Sequence, residues 1–471
     1  MSTIVLLMFV ALFVSTSIIS VFQVDNLRVD GRNTRTINQS YSAQRGPILV
    51  SGVAVADSVP SSDAYKFQRV YSAPELYAPV TGYYTLNQGN AGLEGALNDS
   101  LSGTANDQFF GQLNAMITGK DPKGAAVELT LDPAIQQVAF DALGGNTGAV
   151  VALEPKTGKI LAMVSKTSYD PNSLAVHDSN AVISTYNSLL ANPNKPLFNR
   201  AIGGDLYAPG SVFKLIVASA AFDSGKFQPT SEFPNPPSLQ LPQSSNTISN
   251  AADGNCGGAA TVSIADALRL SCNIPFAQLG GALGADTIAN YAGKFGFGQK
   301  LKIPLSVTPS QYPRAIDEPT LYLSSFGQAS DRVSPLQVAM VSSAIANGGV
   351  LMKPNLVDTI TAPDLTPIST FSPEEFSTPI SRATASTMVS LMVSNVANGA
   401  ASNARIQGVD VAGKTGTAQN DGAANTLWFT GFAPANDPRV AVAVVIENGK
   451  GFGNSVAAPI ARQVMEAVLS K

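Results

Sequence analysis

The segment at residues 207–214, Tyr-Ala-Pro-Gly-Ser-Val-Phe-Lys, constrains the fold of this 471-residue chain more than any other feature. Pro209 and Gly210 are typical of a loop, and the apolar run after Ser211 predicts a helix that starts there. Residues three apart share one face of a helix, so Lys214 should lie beside Ser211. A serine is a weak nucleophile until a base accepts its proton, and a lysine with a lowered pKa can be that base. The segment therefore predicts a nucleophile and its base at the start of a helix.

Two further motifs follow later in the chain. Ser271 and Asn273 flank Cys272, so an extended or turning backbone could point both side chains at one site. Residues 414–417, Lys-Thr-Gly-Thr, come after an alternating segment that predicts a strand. The glycine would let a ligand backbone come close, and the lysine and the hydroxyls could bind a carboxylate.

Each of the three motifs has a simpler explanation when it is taken alone. Ser-x-x-Lys occurs in many helices whose lysine is merely solvated, Ser-x-Asn is common in turns, and a glycine often lies at a strand end. Their combination in this chain order is characteristic of penicillin-binding proteins and class A β-lactamases. The combination, rather than any single motif, indicates serine acyl transfer.

The composition excludes several classes of function. The formal net charge is −4 and the sequence has no block of lysine and arginine, which argues against nucleic-acid binding. A single histidine, His177, rules out a multi-histidine metal site and the His-Glu-x-x-His motif. We predict neither a metal nor a cofactor, and we interpret His177 as a residue of a surface loop.

The two cysteines, Cys256 and Cys272, lie sixteen residues apart around the Ser-x-Asn motif. In an extracytoplasmic domain they could pair, and closing such a loop would contribute ~3 kcal/mol in the chain-entropy model. Alternatively they are two free thiols, with Cys272 buried as a small apolar side chain. The sequence leaves both readings open.

The N-terminus predicts a membrane anchor. Residues 2–24 carry no charge and are mostly apolar, and about 20 such residues suffice to span a bilayer. A cleaved signal peptide usually has a shorter apolar region and an Ala-x-Ala-like site, which this sequence lacks. We expect a retained single span at residues 3–24 with the remainder outside the cytoplasm, although the nearby arginines follow the span, against the positive-inside tendency.

The rest of the chain divides into two expected units. Residues 25–122 contain short apolar stretches and no catalytic constellation, which is typical of a structural pedestal. In residues 123–471, strand patterns occur near both ends, at 148–153, 159–164, 428–433 and 440–446, with helical patterns between them and a closing helix at 457–469. This order predicts an α+β domain whose antiparallel sheet is built from the two ends of the domain and covered by helices.

The chain resembles a class B penicillin-binding protein. Beyond the three motifs, the resemblance rests on Asn199-Arg200, Phe326-Gly327-Gln328, residues 334–337 (Ser-Pro-Leu-Gln), residues 346–349 (Ala-Asn-Gly-Gly) and residues 428–434 (Trp-Phe-Thr-Gly-Phe-Ala-Pro). It covers about residues 124–471. The pedestal is similar to the short, dimerisation-type one of the actinobacterial penicillin-binding protein A group, chiefly at residues 41–46 and 77–82. It departs from the longer class B pattern because residues 45–48 are not followed by the usual Asp-Arg.

The resemblance implies a fold and a reaction. The fold is the transpeptidase fold shared with serine β-lactamases, an antiparallel sheet covered by helices next to an all-helical part. The reaction is D,D-transpeptidation, in which Ser211 attacks the penultimate D-alanine of a stem peptide and D-alanine leaves. Lys214 is then the base for acylation, Ser271 relays the proton to the departing amine, and Asn273 holds the substrate amide. A β-lactam would acylate the same serine and stay bound.

The strand motif supplies the remaining implied roles. Lys414 would lower neighbouring amine pKa values and, with Thr415 and Thr417, bind the terminal carboxylate, while Gly416 lets the substrate approach. The backbone N–H groups of Ser211 and Thr417 form the oxyanion hole in this family. The resemblance also implies stem peptides and β-lactams as ligands, a separate glycosyltransferase to polymerise the glycan, and partners in cell division or elongation.

Three alternatives remain at this stage. In a D,D-carboxypeptidase or a β-lactamase, water would deacylate the same intermediate, but the anchor and the pedestal argue against a class A β-lactamase. A β-lactam sensor generally carries several spans or a cytoplasmic effector. A catalytically silent scaffold would not need the complete set of motifs.

Overall fold

The computed structural model describes residues 2–19, 41, 43–105, 108, 123–204, 206–251, 254–420 and 423–471. Within these residues the strands are β1 (Ile48–Val50), β2 (Val53–Pro60), β3 (Phe67–Tyr71), β4 (Ala126–Leu129), β5 (Gly148–Leu153), β6 (Ile160–Lys166), β7 (Glu232–Pro234), β8 (Ser238–Gln240), β9 (Thr247–Ser249), β10 (Thr261–Ser263), β11 (Leu351–Met352), β12 (Val357–Thr361), β13 (Pro367–Thr370), β14 (Glu375–Ser377), β15 (Ala412–Asn420), β16 (Ala423–Ala433) and β17 (Val440–Gly449).

The α-helices in the same residues are α1 (Ser2–Ser17), α2 (Pro74–Thr81), α3 (Gly92–Ala96), α4 (Asn98–Ser102), α5 (Pro133–Leu143), α6 (Asn172–Ala175), α7 (Ser179–Ala191), α8 (Lys214–Asp223), α9 (Ile264–Leu270), α10 (Ile274–Leu283), α11 (Ala285–Lys294), α12 (Glu318–Ser324), α13 (Pro335–Ala346), α14 (Arg382–Asn398) and α15 (Ala457–Leu469). Short 3-10 turns lie at Gly210–Phe213, Cys256–Gly258 and Ser402–Ala404.

A five-stranded antiparallel sheet in the order β15-β16-β17-β5-β6 forms the centre of the C-terminal part. Its strands come from the two ends of that part, which confirms the sequence prediction. Val150 and Val444 face α5 and α15, whereas Val151 and Val445 face the core that contains α8 and α13. Because both faces are covered, β5 is buried along its whole length and reads as a continuous apolar run.

The all-helical part surrounds α8, which begins at one of the predicted catalytic residues. Every residue of α8 from Lys214 to Ala221 is buried, so this helix has no polar face of its own. It packs against α10, α11 and α14. A helix enclosed in this way is held by tertiary packing on all sides, which fixes the side chains at its first turn.

A second sheet, in the order β13-β12-β4-β1-β2-β3, connects the pedestal strands to the C-terminal part. Strand β1 pairs in parallel with β4, and β4 pairs in turn with β12. Next to this sheet the buried Glu94 carboxylate accepts hydrogen bonds from Arg45 at 2.5 Å and Arg69 at 2.6 Å. The sequence suggested a domain boundary at residue 122. This sheet contains strands from both sides of that boundary, with β1 to β3 before it and β4, β12 and β13 after it.

The structure bears on two expectations for the N-terminal half of the chain, the membrane span at residues 3–24 and the surface position of His177. Among the described helices, none combines the length and the apolar character that crossing a membrane requires. Part of the span expected at residues 3–24 lies outside the described residues. His177 is not a simple surface residue, because its ring nitrogen lies 2.5 Å from an Asp63 oxygen and its side chain is 7% exposed.

A buried carboxyl group lies behind the 3-10 turn at Gly210–Phe213. Asp331 is 0% exposed, and neither of its carboxyl oxygens has a hydrogen-bond partner among the described residues. The antiparallel bridge between Gln311 and Arg332 places Asp331 opposite Tyr312, whose ring stacks on Phe213 at 5.3 Å. Burial raises the pKa of Asp331 well above its usual range, and the charge of Arg332 offsets only part of that rise. Burial therefore favours the protonated form of this carboxyl group.

Replacing Asp331 with Asn should remove a pH-dependent cost of folding. Because the folded-state pKa lies above the unfolded one, the folded protein binds more protons, and its stability falls as the pH rises from about 4. The stability difference between D331N and the wild type should grow with pH by up to about 1.4 kcal/mol per unit until the folded-state pKa is reached. Urea unfolding at pH 4 to 8, followed through the fluorescence of the single Trp428, measures this difference.

The exposed Asp437 supplies the control, because Asp437→Asn should show no such rise. A constant offset between D331N and the wild type at all pH values would reflect the buried amide alone and would contradict the assignment of a neutral Asp331.

Candidate active site

The predicted nucleophile lies in a 3-10 turn rather than in the α-helix that the sequence suggested. The turn spans Gly210–Phe213, and α8 begins only at Lys214. In a 3-10 turn residues three apart eclipse one another, so Ser211 still lies directly beside Lys214. Ser211 is partly exposed and lines a large cleft. The turn is anchored from outside by Trp428, whose indole N–H donates to the carbonyl of Ala208 at 3.0 Å.

Lys214 is a buried amine with two fixed acceptors. Its side chain is 0% exposed, and its Nζ donates to the carbonyl of Ser271 at 2.8 Å and to Asn273 Oδ1 at 2.9 Å. Burial, assisted by the positive charge of Lys414, lowers the pKa of Lys214 well below its ordinary value. A neutral amine has two N–H groups and one lone pair. Because both N–H groups are occupied, the lone pair remains free to accept a proton.

Lys414 joins the strand motif to the Ser-x-Asn motif. Its Nζ donates to Ser271 Oγ at 2.7 Å and to the carbonyl of Thr415 at 2.8 Å. Lys414 is also fully buried, and burial lowers its pKa to about 7. The hydroxyl of Ser271 accepts from Lys414, so its own proton can be donated elsewhere. The structure thus brings the three motifs together through Lys214, Ser271 and Lys414.

Ser271 has an unusual backbone conformation that allows it to bond to both Lys214 and Lys414. It is the C-cap of α9, with φ 63° and ψ 36°, in the left-handed region that non-glycine residues rarely adopt. The carbonyl and the hydroxyl of the same residue can therefore face two different lysines. Such strain is characteristic of functional sites, where the surrounding structure maintains it.

Asn273 is held by a neighbouring loop that the sequence did not identify as functional. Its backbone N–H donates to Asn250 Oδ1 at 2.9 Å, and its side-chain amide donates to the carbonyl of Ser249 at 3.1 Å. Asn250 is 5% exposed and bonds in turn to the buried Asn235 at 3.4 Å. Asn235 and Asn250 gave no sequence signal, because they lie in a polar loop whose conformation depends on distant contacts.

A disulfide between Cys256 and Cys272 braces the same loop. The two Cα atoms are 5.7 Å apart, and the bridge closes a sequence separation of 16. Asn235 also bonds to the backbone of Cys256, donating to its carbonyl at 2.7 Å and accepting from its N–H at 3.2 Å. The sequence left open whether the two cysteines form a disulfide or are free thiols, and the structure contains the disulfide.

Strand β15 passes close to the nucleophile because Gly416 has no side chain. A Cβ atom at position 416 would lie 3.0 Å from the carbonyl oxygen of Pro209 and 3.2 Å from Val212 Cγ1. The hydroxyl of Thr415 donates to the carbonyl of Ala400 at 3.0 Å, so its proton is already engaged. The hydroxyl of Thr417 accepts from Gly453 N at 3.2 Å, so its proton remains available to a ligand.

The cleft beside Ser211 has a volume of about 1540 Å³ and a positively charged lining. Its walls come from the turn that carries the nucleophile, the loop before α9, β15 and the end of β17. The charged residues that line it are Lys195, Arg200, Arg332 and Glu447. Glu447 is neutralised by Arg200 at 3.0 Å and also accepts from the Tyr207 hydroxyl at 2.5 Å. Three of these four charged residues are positive, which suits an anionic substrate.

No group of three or more His, Cys, Asp or Glu side chains suited to a metal ion occurs among the described residues. The site is therefore built from two lysines, hydroxyls, amides and backbone groups. Its chemistry is that of a serine nucleophile with an amine base.

Comparison with known proteins agrees with this geometry. Residues 148–466 match the penicillin-binding protein transpeptidase domain, and residues 45–127 match the penicillin-binding protein A dimerisation domain. The peptidoglycan D,D-transpeptidase PbpA of Mycolicibacterium smegmatis is 40% identical, with 99% of this chain and 97% of that protein covered. Its counterpart in Mycobacterium tuberculosis is 40% identical, with 99% and 98% covered.

Solved structures give the same result. The ceftriaxone acyl-enzyme complex of penicillin-binding protein A from M. tuberculosis superimposes with a TM-score of 0.88 at 40% identity, covering 92% of this chain and all of that one. The transpeptidase match alone spans more than half of the chain. The chain therefore belongs to the class B penicillin-binding proteins, the serine D,D-transpeptidases of peptidoglycan synthesis.

Proposed function

We propose that this protein cross-links peptidoglycan stem peptides through an acyl-enzyme on Ser211. The supporting observation is the buried Lys214 amine, whose two N–H groups are already bonded to Ser271 and Asn273. The remaining lone pair is the base that a serine nucleophile needs. Burial and the positive charge of Lys414 lower the pKa of Lys214, which favours the neutral amine that carries this lone pair.

Acylation then follows from the positions of the groups. Ser211 Oγ forms a bond to the carbonyl carbon of the penultimate D-alanine while its proton moves to Lys214 Nζ. As the peptide bond breaks, the Ser271 hydroxyl passes a proton to the departing D-alanine amine and takes up the proton that Lys214 holds, which leaves Lys214 neutral again. Ser271 can do so because its oxygen accepts from Lys414, which stabilises negative charge developing on that oxygen.

Substrate binding is divided among the neighbouring groups. The terminal carboxylate is received by the Thr417 hydroxyl and the charge of Lys414, with Thr415 contributing once its bond to Ala400 opens. Asn273 holds the substrate amide. The N–H groups of Ser211 and Thr417 bind the oxyanion, and losing one such donor costs ~3 kcal/mol of transition-state stabilisation.

The second half of the reaction reverses these roles. The amine of a second stem peptide loses a proton to Lys214 and attacks the acyl carbon. The ester bond to Ser211 Oγ then breaks, and this oxygen takes the proton from Lys214, which re-forms the Ser211 hydroxyl and yields the cross-link. A β-lactam acylates the same serine but its leaving group stays tethered, which blocks the amine. One relative, penicillin-binding protein A from M. tuberculosis, forms acyl-enzyme complexes with ceftriaxone, imipenem and penicillin G.

We also propose the arrangement of the whole chain. Residues 3–24 anchor the protein by a single span, residues 25–122 form the pedestal, and residues 123–471 form the extracytoplasmic transpeptidase domain. The uncharged N-terminal run supports the anchor. The dimerisation-domain match at residues 45–127 supports the pedestal. A separate glycosyltransferase and proteins of cell division or elongation complete the proposed assembly.

Intact-mass measurement with and without benzylpenicillin tests the nucleophile. We expect one adduct with the mass of the intact antibiotic on the wild-type protein, mapped by peptide analysis to Ser211, and none on Ser211→Ala. Lys214→Met should remain folded, as judged by the fluorescence of Trp428, and should acylate at least 100-fold more slowly because the base is lost. An adduct that persists in Ser211→Ala would contradict the proposal.

The pH dependence of acylation tests the link between the two lysines. Acylation should slow as the pH falls because Lys214 becomes protonated. Replacing Lys414 with Met removes the positive charge that lowers the pKa of Lys214, so the acid limb of the pH–rate profile should move to higher pH. Stopped-flow measurement of the acylation rate with a chromogenic cephalosporin, repeated across the pH range, gives the position of this acid limb.

Ser271→Ala is the matched control for this measurement, because it removes the relay hydroxyl but keeps the Lys414 charge. It should reduce the rate without moving the limb upward. An unchanged limb in Lys414→Met would show that the two amines are not coupled.

A further inference from the structure

The dipeptide Gly327-Gln328 contacts both backbone segments that carry the proposed oxyanion-hole donors. The carbonyl of Gly327 accepts from Gly210 N at 3.0 Å, immediately before Ser211. The side-chain amide of Gln328 donates to the carbonyl of Thr417 at 3.3 Å. Two adjacent residues thus connect the turn of the nucleophile to strand β15.

The packing around Gly327 leaves no room for a side chain at this position. Gly327 has φ +81°, and a Cβ atom there would lie 2.1 Å from the carbonyl oxygen of Gly210. Gly210 itself has φ +54° and lies against the Thr417 peptide, where an added Cβ would be 3.1 Å from Thr417 C and O. Gly210, which precedes Ser211, therefore packs against both Gly327 and the peptide group that follows Thr417.

The dipeptide is itself fixed to the helical part. Gly327 N donates to the carbonyl of Ser324 at 2.9 Å, and Gln328 N donates to the carbonyl of Leu323 at 3.1 Å. Both acceptors belong to the last turn of α12. A few residues further on, Val333 pairs with Tyr207 through two backbone bonds of 2.8 and 3.1 Å. The side chain of Gln328 therefore extends from a rigid support.

We propose that Gln328 is a positioning residue for acylation, which orients the Thr417 peptide so that its N–H and that of Ser211 converge on the same oxyanion. This inference rests on the proposed function and assigns a role to a residue outside the three motifs. Gln328 acts through Thr417 and does not touch the reacting atoms. The bond to the Thr417 carbonyl matters because the N–H and the C=O of one residue in an antiparallel strand point to the same side. A rotation of the backbone that moves the Thr417 carbonyl therefore also turns the Thr417 N–H away from the oxyanion.

Gln328→Met is the informative variant, because methionine keeps the length of the side chain but has no N–H donor. We expect acylation of the full chain in detergent by benzylpenicillin to slow roughly 10- to 100-fold, with the dissociation constant of the preceding noncovalent complex unchanged. Gln328→Glu should be slower still, since an acceptor would then face the Thr417 carbonyl. Gln311→Met, an exposed glutamine across the bridge from Arg332, is the matched control and should be unchanged.

The infrared stretching frequency of the ester carbonyl in the acyl-enzyme distinguishes a positioning role from a general structural defect, which would not change it. Stronger hydrogen bonds from the oxyanion hole lower its infrared stretching frequency. We expect Gln328→Met to shift this band to higher frequency than in the wild type and in Gln311→Met, while Trp428 fluorescence shows that the variant is folded.

The outcomes separate the two proposals. A slow acylation step together with the shifted carbonyl band supports the positioning role. If the rate and the band are both unchanged, or if only the noncovalent affinity falls, the positioning role is wrong while Ser211 acylation stands. If the wild-type protein forms no acyl-enzyme, the proposed function fails, and the positioning role fails with it.

Discussion

Two lysine side chains buried within one hydrogen-bonded cluster are the constraint on which the rest of the site depends. An ammonium group loses several kcal/mol of hydration on burial, so each amine is driven toward its neutral form. Lys214 and Lys414 share Ser271, one through its carbonyl and the other through its hydroxyl. Burial therefore supplies the base, and the positive charge that Lys414 carries below its own pKa of about 7 lowers the pKa of Lys214 further.

The fold supplies this cluster from three distant parts of the chain. α8 is enclosed by other helices, which buries Lys214; the left-handed C-cap of α9 presents Ser271; and β15 at the sheet edge presents Lys414. The disulfide and the Asn235 and Asn250 bonds hold the loop that completes the site. No single element would keep an amine neutral, so the chemistry is a property of the tertiary structure.

Much of this architecture was predictable from the sequence, since it rests on periodicity and local motifs. The hairpin of β5 and β6 and the strands β16 and β17 follow from short apolar runs, and helix α15 follows from helical apolar spacing. The three motifs and their order were also readable. The 3-10 turn at Ser211 was not, because its first residues are held by Gly327 and Trp428 from elsewhere in the chain. Asn250, Gln328 and Asp331 were missed for the same reason, since each acquires its role only through long-range contacts.

Neutron diffraction of the unliganded protein, exchanged into heavy water at pH 8, tests the central claim most directly. We predict two deuterons on Lys214 Nζ, directed at the Ser271 carbonyl and at Asn273 Oδ1, and none on the side that faces Ser211. A third deuteron on Lys214 would mean that the amine is charged and cannot accept the serine proton, which would contradict the account.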